Sequence, residues 1–291
     1  MKDIIVIVGP TGIGKTKLSI ELAKKIDAEI INGDSVSIYK DLNIGSAKPT
    51  KEEQENIPHH LLDIKEVEED YSVYDYQKDV RNLIDEINSR NKRIIIVGGT
   101  GLYIKAALYD YRFSKEEDKN NYDDLTNEEI IEKIKNSSKE IIPDEKNRRR
   151  LIRLLEKIEN NEEITHNKDI SLYKIKVIGL TTDRKTLYER IEKRVDLMMK
   201  NGLLDEVESL KNKYNNSRIL NSGIGYKEFV KYFNKEKTLE ETVEEIKKDS
   251  RRFAKRQYTF FNHQFKTIWF NVDFNNFNNT IEEVMKEINK N

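Results

Sequence analysis

Apolar residues make up 36% of the 291 in this chain, and charged residues another 36% where about 25% is usual, which fits a helix-rich surface around a modest core. The 52 basic and 53 acidic side chains nearly cancel, so any attraction to polyanions must come from local clustering. Cysteine is absent, which excludes disulfides, thiolate metal sites and Cys nucleophiles. The apolar run Ile4–Val8 is too short for a membrane span or a signal peptide, so a cytoplasmic location is expected.

In chain order, Ile4–Val8 reads as a strand buried on both faces, stopped by Gly9-Pro10. Lys15–Ile26 carries Leu18, Leu22, Ala23 and Ile26 at helical spacing. Residues 28–31 predict a second strand, 75–87 a helix with Val80, Leu83, Ile84 and Ile87 inward, and Arg93–Val97 a third strand ending at Gly98-Gly99. Residues 114–147 are polar and predict a small helical insertion. Further strands are expected at 175–180 and 266–272, and residues 186–263 read as almost continuous helix. Strands alternating with helices argue for an α/β fold with a parallel sheet. The expected division is a first core part at 1–111, the insertion at 112–147, and the rest of the core with a helical C-terminal part at 148–291.

The sharpest signal is Gly9-Pro10-Thr11-Gly12-Ile13-Gly14-Lys15-Thr16, which fits G-x-x-x-x-G-K-S/T between a strand and a helix. Such a loop turns backbone N–H groups toward phosphates, while Lys15 adds a point charge and the helix N-terminus its dipole. Thr16 can hold a magnesium ion that bridges phosphate oxygens. The sheet is therefore expected to be of the P-loop NTPase type, with a di- or triphosphate as ligand. An ordinary ATPase of this type keeps an aspartate at the end of an apolar strand to position magnesium. Here Ile94-Ile95-Ile96-Val97 ends instead in Gly98-Gly99-Thr100-Gly101. Asp34, after the second strand, belongs on the same sheet edge, where it is either a metal contact, a proton acceptor or a helix N-cap.

Two basic clusters break the neutral background. Arg148-Arg149-Arg150 with Arg153 is one, and Lys247-Lys248, Arg251-Arg252 and Lys255-Arg256, interleaved with Phe253 and Tyr258, is the other. Phosphate neutralisation beside aromatic surfaces suits single-stranded RNA loops, whereas the plainer reading is a solvated charged face. His59-His60 lacks a third ligand at metal spacing and predicts a structural role, and Trp269 is expected in the core.

Several segments in order carry a resemblance. They are Gly9–Thr16, Asp34-Ser35-x-x-x-Tyr39-Lys40, Ile44-Gly45-Ser46-Ala47-Lys48-Pro49, Pro58-His59-His60-Leu61-Leu62-Asp63 and Gly98-Gly99-Thr100-Gly101-Leu102-Tyr103. Arg150-x-x-Arg153, Arg190-x-x-x-Arg194, Gly202-Leu203-x-x-Glu206-Val207, Ile224-Gly225-Tyr226-Lys227 and Ala254-Lys255-Arg256-Gln257 follow. Together they resemble the tRNA dimethylallyltransferases, or tRNA isopentenyltransferases. The resemblance implies transfer of a dimethylallyl group from its diphosphate to N6 of the adenine 3′-adjacent to the anticodon. It implies catalysis by Asp34 as base with Thr100 and Arg194 (Arg190 being the nearest substitute), and Mg2+ as cofactor. The donor diphosphate would lie on Gly9 to Thr16. The tRNA anticodon stem-loop would meet Asp34, Ser35, Val36, Ser37, Thr100, Arg149, Arg150, Arg153, Tyr226, Lys227, Arg252 and Arg256. A monomer acting away from membranes is expected. Rival readings are the same transfer to free AMP, ADP or ATP, a P-loop small-molecule kinase, and a non-catalytic RNA-binding protein. The sequence departs from the family pattern at Ser37, where the family has glutamine, in its short insertion, and at Thr165-His166-Asn167-Lys168. A serine there offers one hydroxyl on a shorter arm, which predicts weaker reading of the adenine.

Overall fold

The computed structural model describes residues 3–113, 122, 124–137, 142, 145–160, 170–214 and 217–290. The element order is β1 (Ile4–Val8), α1 (Lys15–Ile26), β2 (Ala28–Asn32), β3 (His59–His60), α2 (Val73–Ser89), β4 (Arg93–Val97) and α3 (Gly101–Leu108). Next come α4 (Asn127–Ser137), α5 (Arg148–Glu159), β5 (Ile175–Thr181), α6 (Arg184–Lys200), α7 (Leu203–Lys213) and α8 (Arg218–Ser222). The chain ends with α9 (Phe229–Phe233), α10 (Leu239–Gln264), β6 (Thr267–Asn271) and α11 (Phe277–Ile288). The six strands form one parallel sheet in the order β3-β2-β4-β1-β5-β6. The α/β fold expected from the alternating pattern is therefore present.

Two compact units divide the chain: residues 1–108 with 171–291, and Tyr109–Ile170. This differs from the division expected at 112 and 147. The second unit extends through α5 because Leu151 and Leu155 bury themselves against Ile130 and Ile134 of α4 and against Tyr122. Arg148 closes the same small core by donating to the carbonyls of Leu125 (2.6 Å) and Tyr122 (2.7 Å). Residues 114–121 of the expected insertion and the segment Thr165-His166-Asn167-Lys168 lie outside the described residues.

In the first unit β1 is buried along its whole length, as its five apolar residues require. Ile5 and Ile7 pack with Leu18 and Leu22 of α1 and with Ile281 and Val284 of α11. Helix α2 starts two residues before the expected Asp75. Ser72 accepts from the Asp75 N–H while the Asp75 carboxylate accepts from the Ser72 N–H, a capping box that sets the first turn at Val73. The expected helix over 186–263 is, among the described residues, five helices. One break falls at Gly202, with φ 95°, and another at Thr238, whose own capping box with Glu241 starts α10. His59 and His60 form a two-residue edge strand on β2, where His60 Nε2 meets the Glu29 carboxylate at 2.7 Å, so their role is structural as expected. Trp269 is half-buried rather than in the core. Its strand β6 is the sheet edge, and its ring stacks on the exposed Tyr258 at 4.5 Å.

Two close approaches shape the sheet edge that carries the phosphate-binding loop. Gly9 leaves β1 with φ 138°, and a Cβ there would lie 2.6 Å from the Leu180 carbonyl oxygen. At Gly98 a Cβ would lie 2.1 Å from the carbonyl carbon of Gly33, so the chains leaving β2 and β4 touch backbone to backbone. Gly98→Ala must push these two chain ends apart. The expected loss is roughly 3 kcal/mol or more, seen in calorimetry as a Tm lower by on the order of 10 °C. An unchanged Tm would show that the contact carries no strain.

Candidate active site

The phosphate-binding loop connects β1 to α1, and the Lys15 ammonium folds back to donate to the carbonyls of Gly9 (3.0 Å) and Pro10 (2.9 Å). Helix α6 closes over the other side. Arg190 and Arg194, one turn apart, share a face. Arg190 Nε donates to the Gly12 carbonyl at 3.1 Å, and Arg194 donates to the Thr11 hydroxyl. The Arg190 guanidinium also stacks on Phe274, 4.0 Å from the ring centre. Burial pushes the Lys15 amine down to about 7, repulsion from Arg194 adds to the fall, and Asp34 opposes it. Burial likewise lowers Arg194, against the pull of Asp34. These two cations and one carboxylate thus share a half-buried space, which favours an anionic ligand.

Asp34 is held by its neighbours in the turn after β2. Its N–H donates to Asn32 Oδ1 at 3.0 Å, its carbonyl accepts from Asn32 Nδ2 at 2.9 Å, and its Oδ1 accepts from the Val36 N–H at 2.9 Å. The N-cap reading fails, because no helix starts at this turn. Thr100, at the end of β4, is joined to the same turn. Its N–H donates to the Gly33 carbonyl (3.0 Å), and its hydroxyl oxygen accepts from the Ser35 N–H (3.0 Å). Strand β4 lies between β2 and β1, so Asp34, Thr100 and the phosphate loop stand side by side on the carboxyl edge of the sheet.

A sequence model described as IPP transferase matches residues 37–264. The tRNA dimethylallyltransferase of Bacillus cereus (strain ATCC 10987 / NRS 248) is 44% identical over 286 residues, covering 93% of this chain and 90% of that protein.

This chain belongs to the IPP transferase family.

Among solved structures, the tRNA delta(2)-isopentenylpyrophosphate transferase of Staphylococcus epidermidis superposes with a TM-score of 0.76 at 37% identity, covering 99% of both chains. A eukaryotic dimethylallyltransferase acting on tRNA superposes with a TM-score of 0.75 at 26% identity, covering 92% of this chain and 74% of that one. The sheet of this IPP transferase family member is accordingly the P-loop type expected from its motif.

The residues expected to meet RNA separate by burial. Asp34, Ser35, Val36 and Thr100 are partly exposed at the carboxyl edge of the sheet. Arg252 and Arg256 are exposed on α10, and Arg149, Arg150 and Arg153 are exposed on α5 of the second unit. Tyr226 is 1% exposed, its hydroxyl donates to Glu206 Oε1 at 2.8 Å, and its ring packs against Gly45. Ser37 is buried as well. It is 5% exposed, because the chain turns inward there to pair Tyr39 with Lys65. Lys227 is half-buried and paired with Asp249 at 2.8 Å, which makes it a scaffold contact. Two side chains of the basic run are also structural: Lys247 pairs with Asp196 (2.8 Å) and Arg251 with Glu192 (2.6 Å), fixing α10 to α6.

Gln257 carries no signal in its residue type, although it ends the Ala254-Lys255-Arg256-Gln257 segment. Its side chain reaches both the phosphate loop and the loop after β4, at Thr11 and Gly99. The only local hint is an uncharged residue closing a basic run.

Among the described residues no three His, Cys, Asp or Glu side chains converge as a metal cage. Thr16, exposed in the first turn of α1, fits a magnesium ion held mainly by phosphate oxygens and water, the usual manner for this hard cation beside diphosphates.

The lowered Lys15 has a measurable consequence. A diphosphate bound beside Lys15 would restore the ammonium, so its binding would take up a proton above the free value of about 7. Affinity is full below that value and falls as pH rises through it, up to the higher value in the complex. Calorimetry with inorganic diphosphate at pH 8, in buffers of different ionisation enthalpy, should show this uptake in the wild type. Lys15→Met should lack it, and subtracting that variant removes the ligand's own titration. Equal proton uptake in both proteins would place the titrating group elsewhere.

Proposed function

We propose that this chain transfers a dimethylallyl group from dimethylallyl diphosphate to N6 of the adenine 3′-adjacent to the anticodon in tRNA. The observation that carries this reading is the placement of Thr100 one strand over, and of Asp34 two strands over, from a phosphate loop whose neighbouring strand ends without a carboxylate. A loop so equipped binds diphosphate as a leaving group and lacks the usual equipment for nucleotide hydrolysis.

In the reaction the bond between C1 of the dimethylallyl group and the diphosphate oxygen breaks, and its electron pair leaves with the diphosphate. A bond forms between C1 and the adenine N6, and one N6 proton passes to the Asp34 carboxylate. Lys15, Arg194 and the loop amides stabilise the charge that grows on the leaving oxygen. A magnesium ion held through Thr16 would supply further neutralisation of the diphosphate. Thr100 and Ser35 fix the turn that carries Asp34, so the base is oriented before the substrates meet.

The acceptor is read as RNA because Arg252 and Arg256 present charge on α10 that a free adenosine phosphate would not need. No described helix is long and apolar enough to cross a membrane. Labelled dimethylallyl diphosphate offered with bulk tRNA, with AMP, or with neither tests the reading. Label transferred to AMP and not to tRNA would sink it.

Asp34→Asn removes the proton acceptor and keeps the shape. Single-turnover transfer should fall by roughly 10²-fold or more, with both KM values little changed. Full activity in that variant is incompatible with the assigned role.

The exposed arginines of α10 should appear in the salt dependence. For wild type, log affinity for an anticodon stem-loop should fall linearly with log salt. Replacing Arg252 and Arg256 together by glutamine should flatten the slope by roughly one to one and a half units, about 0.7 for each phosphate no longer neutralised. An unchanged slope would place the RNA elsewhere on the surface.

A further inference from the structure

We propose that Gln257 is a positioning residue that ties the RNA-facing helix α10 to both walls of the donor site. The proposal rests on the transfer reading above and adds to it a residue outside the reacting groups. Gln257 is 4% exposed. Its Oε1 accepts from the Thr11 N–H at 3.0 Å, and its Nε2 donates to the Gly99 carbonyl at 3.1 Å. A backbone N–H can only donate and a carbonyl can only accept, so the two partners fix which way the amide points. No other side chain does the same work here: Glu cannot donate to Gly99, Lys and Arg cannot accept from Thr11, and Asn is a methylene shorter.

The place is also specific. A Cβ on Gly99 would lie 2.1 Å from Gln257 Nε2 and 3.7 Å from Asp34 Oδ2, so the amide and the catalytic carboxylate flank one backbone point. Thr11 is gripped twice, by Gln257 through its N–H and by Arg194 through its hydroxyl. Phe260, one turn further along α10, packs where Gly101 lacks a side chain, so the helix meets the Gly99-to-Gly101 loop at two places. Gln257 follows Arg256 directly. RNA held by that arginine therefore bears on the residue that sets the spacing between the leaving diphosphate and the proton acceptor. An error of about 1 Å in that spacing costs on the order of 10²-fold in rate.

The test uses the full chain with Gln257→Met and Gln257→Glu. Wild-type transfer to an anticodon stem-loop is measured first, and its absence would count against the transfer reading itself. Given an active wild type, Gln257→Met should lower single-turnover kcat by on the order of 10²-fold. It should weaken inorganic diphosphate binding about tenfold. Its stem-loop Kd should stay near wild type, and its Tm should fall by only a few degrees, as the loss of buried hydrogen bonding predicts. Gln257→Glu keeps the acceptor for Thr11, loses the donor to Gly99 and adds a negative charge beside the phosphate loop. Its loss should therefore fall more on donor KM than on kcat. The proposal is overturned if Gln257→Met keeps wild-type kcat and diphosphate affinity. It is equally overturned if the loss vanishes below a lowered Tm, or if Gln257→Glu binds diphosphate as the wild type does.

Discussion

The site depends on the contact between Gly33 and Gly98. Only because Gly98 has no side chain can the chain leaving β2 lie on the chain leaving β4. The Gly33 N–H then donates to the Val97 carbonyl at 2.8 Å, and the Thr100 N–H donates to the Gly33 carbonyl at 3.0 Å. This stitches the Asp34 turn to the Thr100 turn. With β4 paired to β1 on its other side, Asp34 stands about two strand spacings, roughly 10 Å, from the strand that feeds the phosphate loop. That span suits a leaving group, the carbon it leaves and the attacking amine in line.

Electrostatics follows from the same geometry. Lys15 and Arg194 repel each other in a space where burial disfavours both charges, and Asp34 offsets only part of that cost. The free protein therefore holds an excess of positive potential that a diphosphate relieves. The carbonyls of Gly9 and Pro10 occupy the Lys15 hydrogens, and the Thr11 hydroxyl occupies Arg194. Ligand binding exchanges these neutral partners for charged ones, and the gain is larger because the surroundings are partly dry.

What the sequence made legible was local. Ile4–Val8, the glycine-rich loop and Lys15–Ile26 state their fold in adjacent residues, and the sheet type follows from their alternation. What it hid was set by distant contacts. The edge strand His59–His60 exists only because β2 offers it an edge. Helix periodicity runs on past Gly202 and Thr238 although the chain turns there. The extent of the second unit depended on whether Leu151 and Leu155 would find α4. At the site, Asp34, Thr100, Arg190 and Arg194 were readable from motif and order. Gln257 stood in a motif too, but its bond to Thr11 was hidden, because that partner lies 246 residues away.

Family likeness named Tyr226 and the Asp34-to-Ser37 stretch alike, and burial separates their work. The Glu206 carboxylate accepts from the N–H groups of Asn43 (3.1 Å), Ile44 (2.8 Å) and Gly45 (3.1 Å) and from the Tyr226 hydroxyl. Four donors on one half-buried carboxylate make a strong local anchor. Lys48 adds another by donating to the Tyr39 carbonyl (2.7 Å), Asn43 Oδ1 (3.2 Å) and Asp63 Oδ1 (2.5 Å). The chain after Asp34 is thus pinned at both ends, by Thr100 at one and by Glu206 with Lys48 at the other. Ser37 points into that packing, whereas Asp34, Ser35 and Val36 stay on the open side. A motif residue such as Tyr226 contributes rigidity: through Glu206 it holds the loop that follows the Asp34 turn.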